Sequence, residues 1–172
     1  MSVYRLKVSL RDGPVVVEEE VWREIDIKGS QTLHTLHRAI FDAFDRWEHH
    51  LYSFYMSPNR RDKTKEYASP YFFEDDDEVE AVPRDASRIR IATLGLAVGD
   101  KFDYMFDYGD DWEHVVEVVG ISDAPPAGRY PAIVDKRGPS PEQYAPYDES
   151  ESGEDDISEV GPGRVLTFPR KP

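Results

Sequence analysis

KFDYMFDYGDDWEH, residues Lys101 to His114, is the stretch whose reading decides how this chain folds. Aromatic residues alternate with acids, a Gly-Asp turn interrupts them, and Trp-Glu-His follows. A period of two sends neighbouring side chains to opposite faces of a sheet, so the stretch reads as a β-hairpin. With Tyr108 to Asp111 as the turn, Asp107 faces Trp112 and Met105 faces His114. Asp103, Met105, Asp107, Trp112, His114 and Val116 then share one face, while Phe102, Tyr104, Phe106 and Val115 fill the other. Asp107 and His114 become diagonal neighbours, about 7–8 Å apart at the backbone and within side-chain reach. One residue more or less in the loop would reverse this facing.

Working outward, Val3 to Leu10 alternates and reads as a half-buried strand, followed by a turn at Arg11-Asp12-Gly13-Pro14. Val15 to Ile27 reads as a second, bent strand, with Val21, Arg23, Ile25 and Ile27 sharing a face. Ser30 or Thr32 can cap a helix. Leu33, Leu36, Ile40, Ala43, Phe44 and Trp47 then recur at helical spacing. His50 to Met56, Tyr67 to Phe73, Arg88 to Ile91, Tyr130 to Val134 and Arg164 to Phe168 are shorter strand candidates. Glu74 to Glu80 reads as a solvated acidic loop. The sum is an α+β domain, a mainly antiparallel sheet with one principal amphipathic helix over about 32–47 packed on it. The domain spans 1–147, and 148–172 is an acidic, partly flexible segment, mobile above all over Ser150 to Glu159.

Charge narrows the function. Asp and Glu number 35 against 21 Lys and Arg, a net charge of −14 over 172 residues. Such a surface repels polyanions, so nucleic acid and anionic membrane are poor partners. The chain has no cysteine, which excludes thiol catalysis, disulfides and thiolate zinc sites. No stretch has the length of an apolar membrane span, and the N-terminus lacks a signal-type apolar run, so a soluble cytoplasmic protein is expected. Phosphate-binding glycine loops and the GxSxG elbow are absent. The basic cluster Arg60, Arg61, Lys63 and Lys65 reads as a charge-balancing loop.

The candidate polar cluster is His37, His50, Asp107, Asp110, Trp112 and His114. Four of these, His37, His50, Asp107 and His114, are chemically suited to a divalent metal, although their spacing matches no metal motif. The competing reading gives them structural work. His37 lies near the apolar stripe of the helix, where a histidine is usually a core residue with a satisfied nitrogen. Asp107 accepts a hydrogen bond from the turn backbone or from His114, and Asp110 stabilises the turn around Gly109.

In order along the chain, these pieces resemble the plasmid pRiA ORF-three-like family, whose members are also called insertion-element passenger TnpR proteins. The matching residues are YRLKVSL (Tyr4–Leu10), VWREIDI (Val21–Ile27), TLHTLHRAI (Thr32–Ile40), Trp47, HLYSF (His50–Phe54), GDKFDYMFDYGDDWEH (Gly99–His114) and Tyr130-Pro131. Two departures stand out. Asp45-Arg46 precedes Trp47 where the family has Gly, and residues 138–144 replace a Pro-Pro-Glu-Asp-Cys-Gly-Gly segment, so no role of that cysteine carries over. The resemblance implies an α+β domain of uncharacterised activity. The resolvase name attached to some members requires a nucleophilic Ser and an arginine cluster that this chain lacks. The expectation is therefore a non-catalytic interaction or accessory module with a protein partner and no cofactor. A divalent-metal hydrolase is the alternative, and a DNA-associated mobile-element protein a weaker one.

Overall fold

The computed structural model of the protein describes residues 2–73, 83–123 and 127–144. Its elements are β1 (Val3–Asp12), β2 (Trp22–Lys28), α1 (Leu33–Ala43), β3 (Tyr52–Tyr55), β4 (Glu66–Ala68), β5 (Arg84–Asp85), β6 (Lys101–Phe106), β7 (Trp112–Ser122) and β8 (Ala132–Arg137). The strands form one eight-stranded sheet in the order β5-β4-β3-β6-β7-β1-β2-β8. All pairs are antiparallel except β4 and β5, which makes the sheet mixed. The chain is thus mostly sheet with one α-helix among the described residues. No helix among them is long and apolar enough to cross a membrane.

Alternation builds the central strands. Leu6 and Val8 of β1, and Arg23, Ile25 and Ile27 of β2, all point into one core. Thr32 caps α1, its Oγ1 accepting from Thr35 N at 3.2 Å. The inward side of α1 reaches the sheet through rings. His37 stacks on Tyr52 with centroids 3.7 Å apart, Phe41 meets Phe106 edge-on, and Phe44 meets His114 edge-on.

Several boundaries differ from the sequence reading. The helix ends at Ala43, not near Trp47. Asp45 adopts a left-handed φ of 53°, and the buried Arg23 guanidinium donates to the Ala43 carbonyl at 2.8 Å. Trp47 therefore leaves the apolar stripe and is 66% exposed. β2 starts at Trp22, because Val15 to Val21 bends away and leaves Val16 in solvent. β4 stops at Ala68, and Pro70–Phe73 forms a 3-10 turn. Arg88 to Ile91 is no strand; 3-10 turns flank an isolated bridge between Arg90 and Thr32. The acidic run at Glu74 to Glu80, the expected strand at Arg164 to Phe168 and the segment Ser150 to Glu159 lie outside the described residues.

The hairpin carries the main correction. Phe106 pairs with Trp112, and Tyr104 with His114. The loop is Asp107 to Asp111, one residue longer than expected. Asp107 leaves the strand because it takes φ 61°, donates its N–H to the Leu51 carbonyl and accepts Gly109 N–H on Oδ1 at 3.0 Å. Asp111 is also left-handed, at φ 50°. Asp is one of the few non-glycine residues that tolerates this region. The shift reverses the facing. Trp112 and His114 join Phe102, Tyr104 and Phe106 in the core, and Val115 turns outward with Asp103, Met105 and Glu113. On that outer face Arg11 and Arg60 both bridge Asp103 and Glu113. Lys63 pairs with the buried Glu66. Arg60 and Lys63 thus balance acids, as the sequence reading of that loop expects.

Candidate functional site

Four of the five histidines fall between residues 34 and 50, and all four line one cleft. His34, His37 and Arg38 stand at helical spacing i, i+3 and i+4, so α1 presents them on one side. His49, His50 and Leu51 come from the segment entering β3. Tyr52, Ser69 and Tyr71 close the wall, and the cleft encloses about 610 Å³. That lies within the size range of small-molecule sites. Among the described residues none that lines it is acidic, although acids outnumber bases 35 to 21 in the chain.

The hydrogen bonds behind the wall fix where the protons sit. His37 is buried, and its Nδ1 lies 2.8 Å from the Tyr104 hydroxyl. Burial keeps that phenol protonated well above the usual tyrosine range, and among the described residues His37 is its one hydrogen-bond partner. Were His37 Nδ1–H the donor, the buried phenolic O–H would have no acceptor, a cost of about 1–3 kcal/mol. Tyr104 therefore donates to Nδ1, and the neutral ring carries its proton on Nε2. The same holds for His34, whose Nδ1 lies 2.7 Å from the buried Tyr52 hydroxyl. Burial, aided by His34, His49 and Arg38, pushes His37 down to about 3. Burial and Arg38 also lower His34. Both rings are neutral at pH 7. A third histidine, His50, donates Nε2–H to Tyr144 Oη at 2.8 Å, because Tyr144 donates its own O–H to Glu48 Oε2. Asp107 Oδ2 stands 3.4 Å from the same nitrogen.

The hairpin residues do structural work. His114 is 1% exposed, and neither ring nitrogen makes a well-formed hydrogen bond, although backbone groups of Trp112 and Tyr104 lie near enough to oppose its loss of basicity. Burial, then the Arg46 charge, pushes it down to about 3. Trp112 donates Nε1–H to the Gln143 carbonyl at 3.1 Å and carries the Arg46 guanidinium 3.6 Å above its ring. Gln143 in turn accepts from the Trp47 and Glu48 amides and donates to the Glu48 carbonyl. This clasp sits in the segment that departs from the family pattern. Asp110 is half-buried, and it is Asp107 that accepts from the turn amide.

The structure does not gather His37, His50, Asp107 and His114 into one ligand set. Among the described residues, no three His, Asp or Glu side chains converge on a metal-sized position. His50 and Asp107 are brought together, His37 turns to Tyr104, and His114 is enclosed beside Phe44. The expected Asp107–His114 pair is replaced by Asp107–His50, because the longer loop moved Asp107 out of the sheet. The sequence reading missed His34, Arg38, His49, Tyr52, Ser69 and Tyr71 as wall residues. The i, i+3, i+4 spacing of His34, His37 and Arg38 was the available signal. Nothing local announces Ser69 or Tyr71.

Residues 2–146 match the family described as plasmid pRiA4b ORF-3-like protein. The uncharacterized protein y4hQ of Sinorhizobium fredii is 33% identical over 118 residues, covering 68% of this chain and 53% of that protein. The chain thus spans about half the length of that curated relative. A crystal structure of a protein of unknown function, MM3350 from Methanosarcina mazei Go1, shares the fold at a TM-score of 0.62 and 21% identity. That match covers 81% of this chain and 71% of the other.

Proposed function

The chain belongs to the plasmid pRiA4b ORF-3-like protein family, and from that premise we propose that it is a non-catalytic binding module whose ligand enters the cleft between α1 and β3. One observation carries the reading. Three of the four cleft histidines are tied to scaffold hydroxyls, His34 to Tyr52, His37 to Tyr104 and His50 to Tyr144, and Asp107 beside His50 holds the Gly109 amide. Wall groups held this way orient a ligand, whereas a general base needs its lone pair aimed at substrate. The ligand could be a partner's side chain or a free small molecule; the cleft's size suits either.

The hydrolase alternative draws on the His50–Asp107 pair at 3.4 Å. A fragment screen followed by amide NMR separates the two. Binding should shift His34, Arg38, Tyr52 and Ser69, and ester and phosphoester substrates should survive incubation. Turnover that disappears in Asp107→Asn would sink the binding-module reading.

A further inference from the structure

We propose that the cleft is selective for a small aromatic carboxylate, held by the Arg38 guanidinium and the Nε2–H groups of His34 and His37 with its ring against His49 and Tyr71. The inference rests on the binding-module reading and deepens it.

The argument begins with the tautomers, assigned from the hydrogen-bond network. Tyr52 and Tyr104 each occupy an Nδ1 lone pair, so both rings turn an N–H edge outward. No described residue partners either Nε2. His37 is only 5% exposed, and it lines the cleft, so its unpartnered Nε2 edge is the part left to face a ligand. Arg38 is exposed and has no ion pair among the described residues. Two N–H donors beside a guanidinium offer donors only, which suits an oxyanion and disfavours a cation.

The same protons oppose a metal. A ligating histidine normally donates its other N–H to a second group. Here that tautomer would leave the buried Tyr104 hydroxyl without an acceptor. Among the described residues, Asp85 is an acid whose charge reaches His34 and Tyr52. It is already engaged by Ser87 and by Arg88 at 3.1 Å. The preference for an aromatic body follows from the walls. His49 is exposed and lies flat on Phe41 at 4.4 Å, which leaves its other face open, and Tyr71 is 61% exposed. Such walls favour offset stacking of a flat ring.

Three probes of nearly equal shape test this: benzoate, benzyl alcohol and benzylamine, titrated into the full chain by NMR at pH 7. Benzoate should bind at least about tenfold more tightly than benzyl alcohol, and benzylamine more weakly than both. Arg38→Gln should reduce benzoate affinity about tenfold and leave benzyl alcohol unchanged. Nitrogen-detected spectra should find the His37 proton on Nε2 in the native protein and shared between both nitrogens in Tyr104→Phe. That readout distinguishes a positioning role for Tyr104 from mere packing. A His37 proton found on Nδ1, or benzoate no tighter than benzyl alcohol, overturns the inference while the binding-module reading stands. If none of the three probes shifts any cleft residue, the inference also falls, and the binding-module reading falls only if the fragment screen finds no ligand for the cleft.

Discussion

His114 offers the sharpest test of the physical reasoning, through replacement by Leu, a side chain of similar size without nitrogens. The imidazole is fully enclosed, with both nitrogens short of good partners. Leaving a buried polar group unsatisfied costs about 1–3 kcal/mol. The edge-on contact with Phe44 at 4.9 Å returns part of that, about 0.5–1.5 kcal/mol for such a pair. His114→Leu should therefore be more stable than wild type at pH 7, by about 1 kcal/mol. Lower pH widens the gap. His114 and His37 ionise near 3 when folded, against an ordinary histidine value of 6.5. Between those values the unfolded chain binds protons that the folded chain refuses. The stability present above about pH 6.5 is therefore lost as pH falls, at about 1.4 kcal/mol per pH unit for each ring. Wild type should lose roughly 2.7 kcal/mol per unit between pH 6 and 4.5 from these two rings, and the variant about half that. Below that window Glu113, held low mainly by its hydrogen bond to Arg60, adds a loss of its own. Urea melts across the window measure both slopes. Equal slopes would mean that His114 does not resist protonation, and a variant less stable by more than about 2 kcal/mol would mean that its nitrogens have partners that matter.

Three further changes test the scaffold by denaturant melts. Gly13→Ala should cost about 1–3 kcal/mol through overpacking, since a Cβ there would stand 2.5 Å from the Trp112 ring; an unchanged midpoint would refute the close approach. Arg23→Met should cost about 2–5 kcal/mol, because the Ala43, Trp22 and Arg137 carbonyls all lose a donor; a loss under ~1 kcal/mol would show that water replaces it. Phe106→Ala should cost about 3–5 kcal/mol, as the ring is 1% exposed, and a near-neutral result would place it at the surface.

How much of this was legible beforehand depends on range. Alternation along β1, β2 and β6 and the helical spacing from Leu33 to Phe44 are local patterns. They identify the elements and the buried rings at Phe102, Tyr104 and Phe106, because burial must follow the geometric period of the backbone. Thr32 and the family motifs were legible for the same reason. The facing of Trp112 and His114 was not. It turned on a single residue of loop length, and that was settled by a hydrogen bond from Asp107 to Leu51, over fifty positions away in sequence. The helix end was likewise set by Arg23 reaching across from the sheet. The cleft is the least local feature of all. Its walls come from α1, the approach to β3, and Ser69 and Tyr71 beyond β4. The tautomers that give it its chemistry depend on Tyr104, sixty-seven residues from His37. Sequence determined the central elements and the apolar faces of β1, β2, β6 and α1; only the tertiary structure decided the facing of β7 and which buried groups meet, because convergence depends on register and chain crossing rather than on any repeat along the chain.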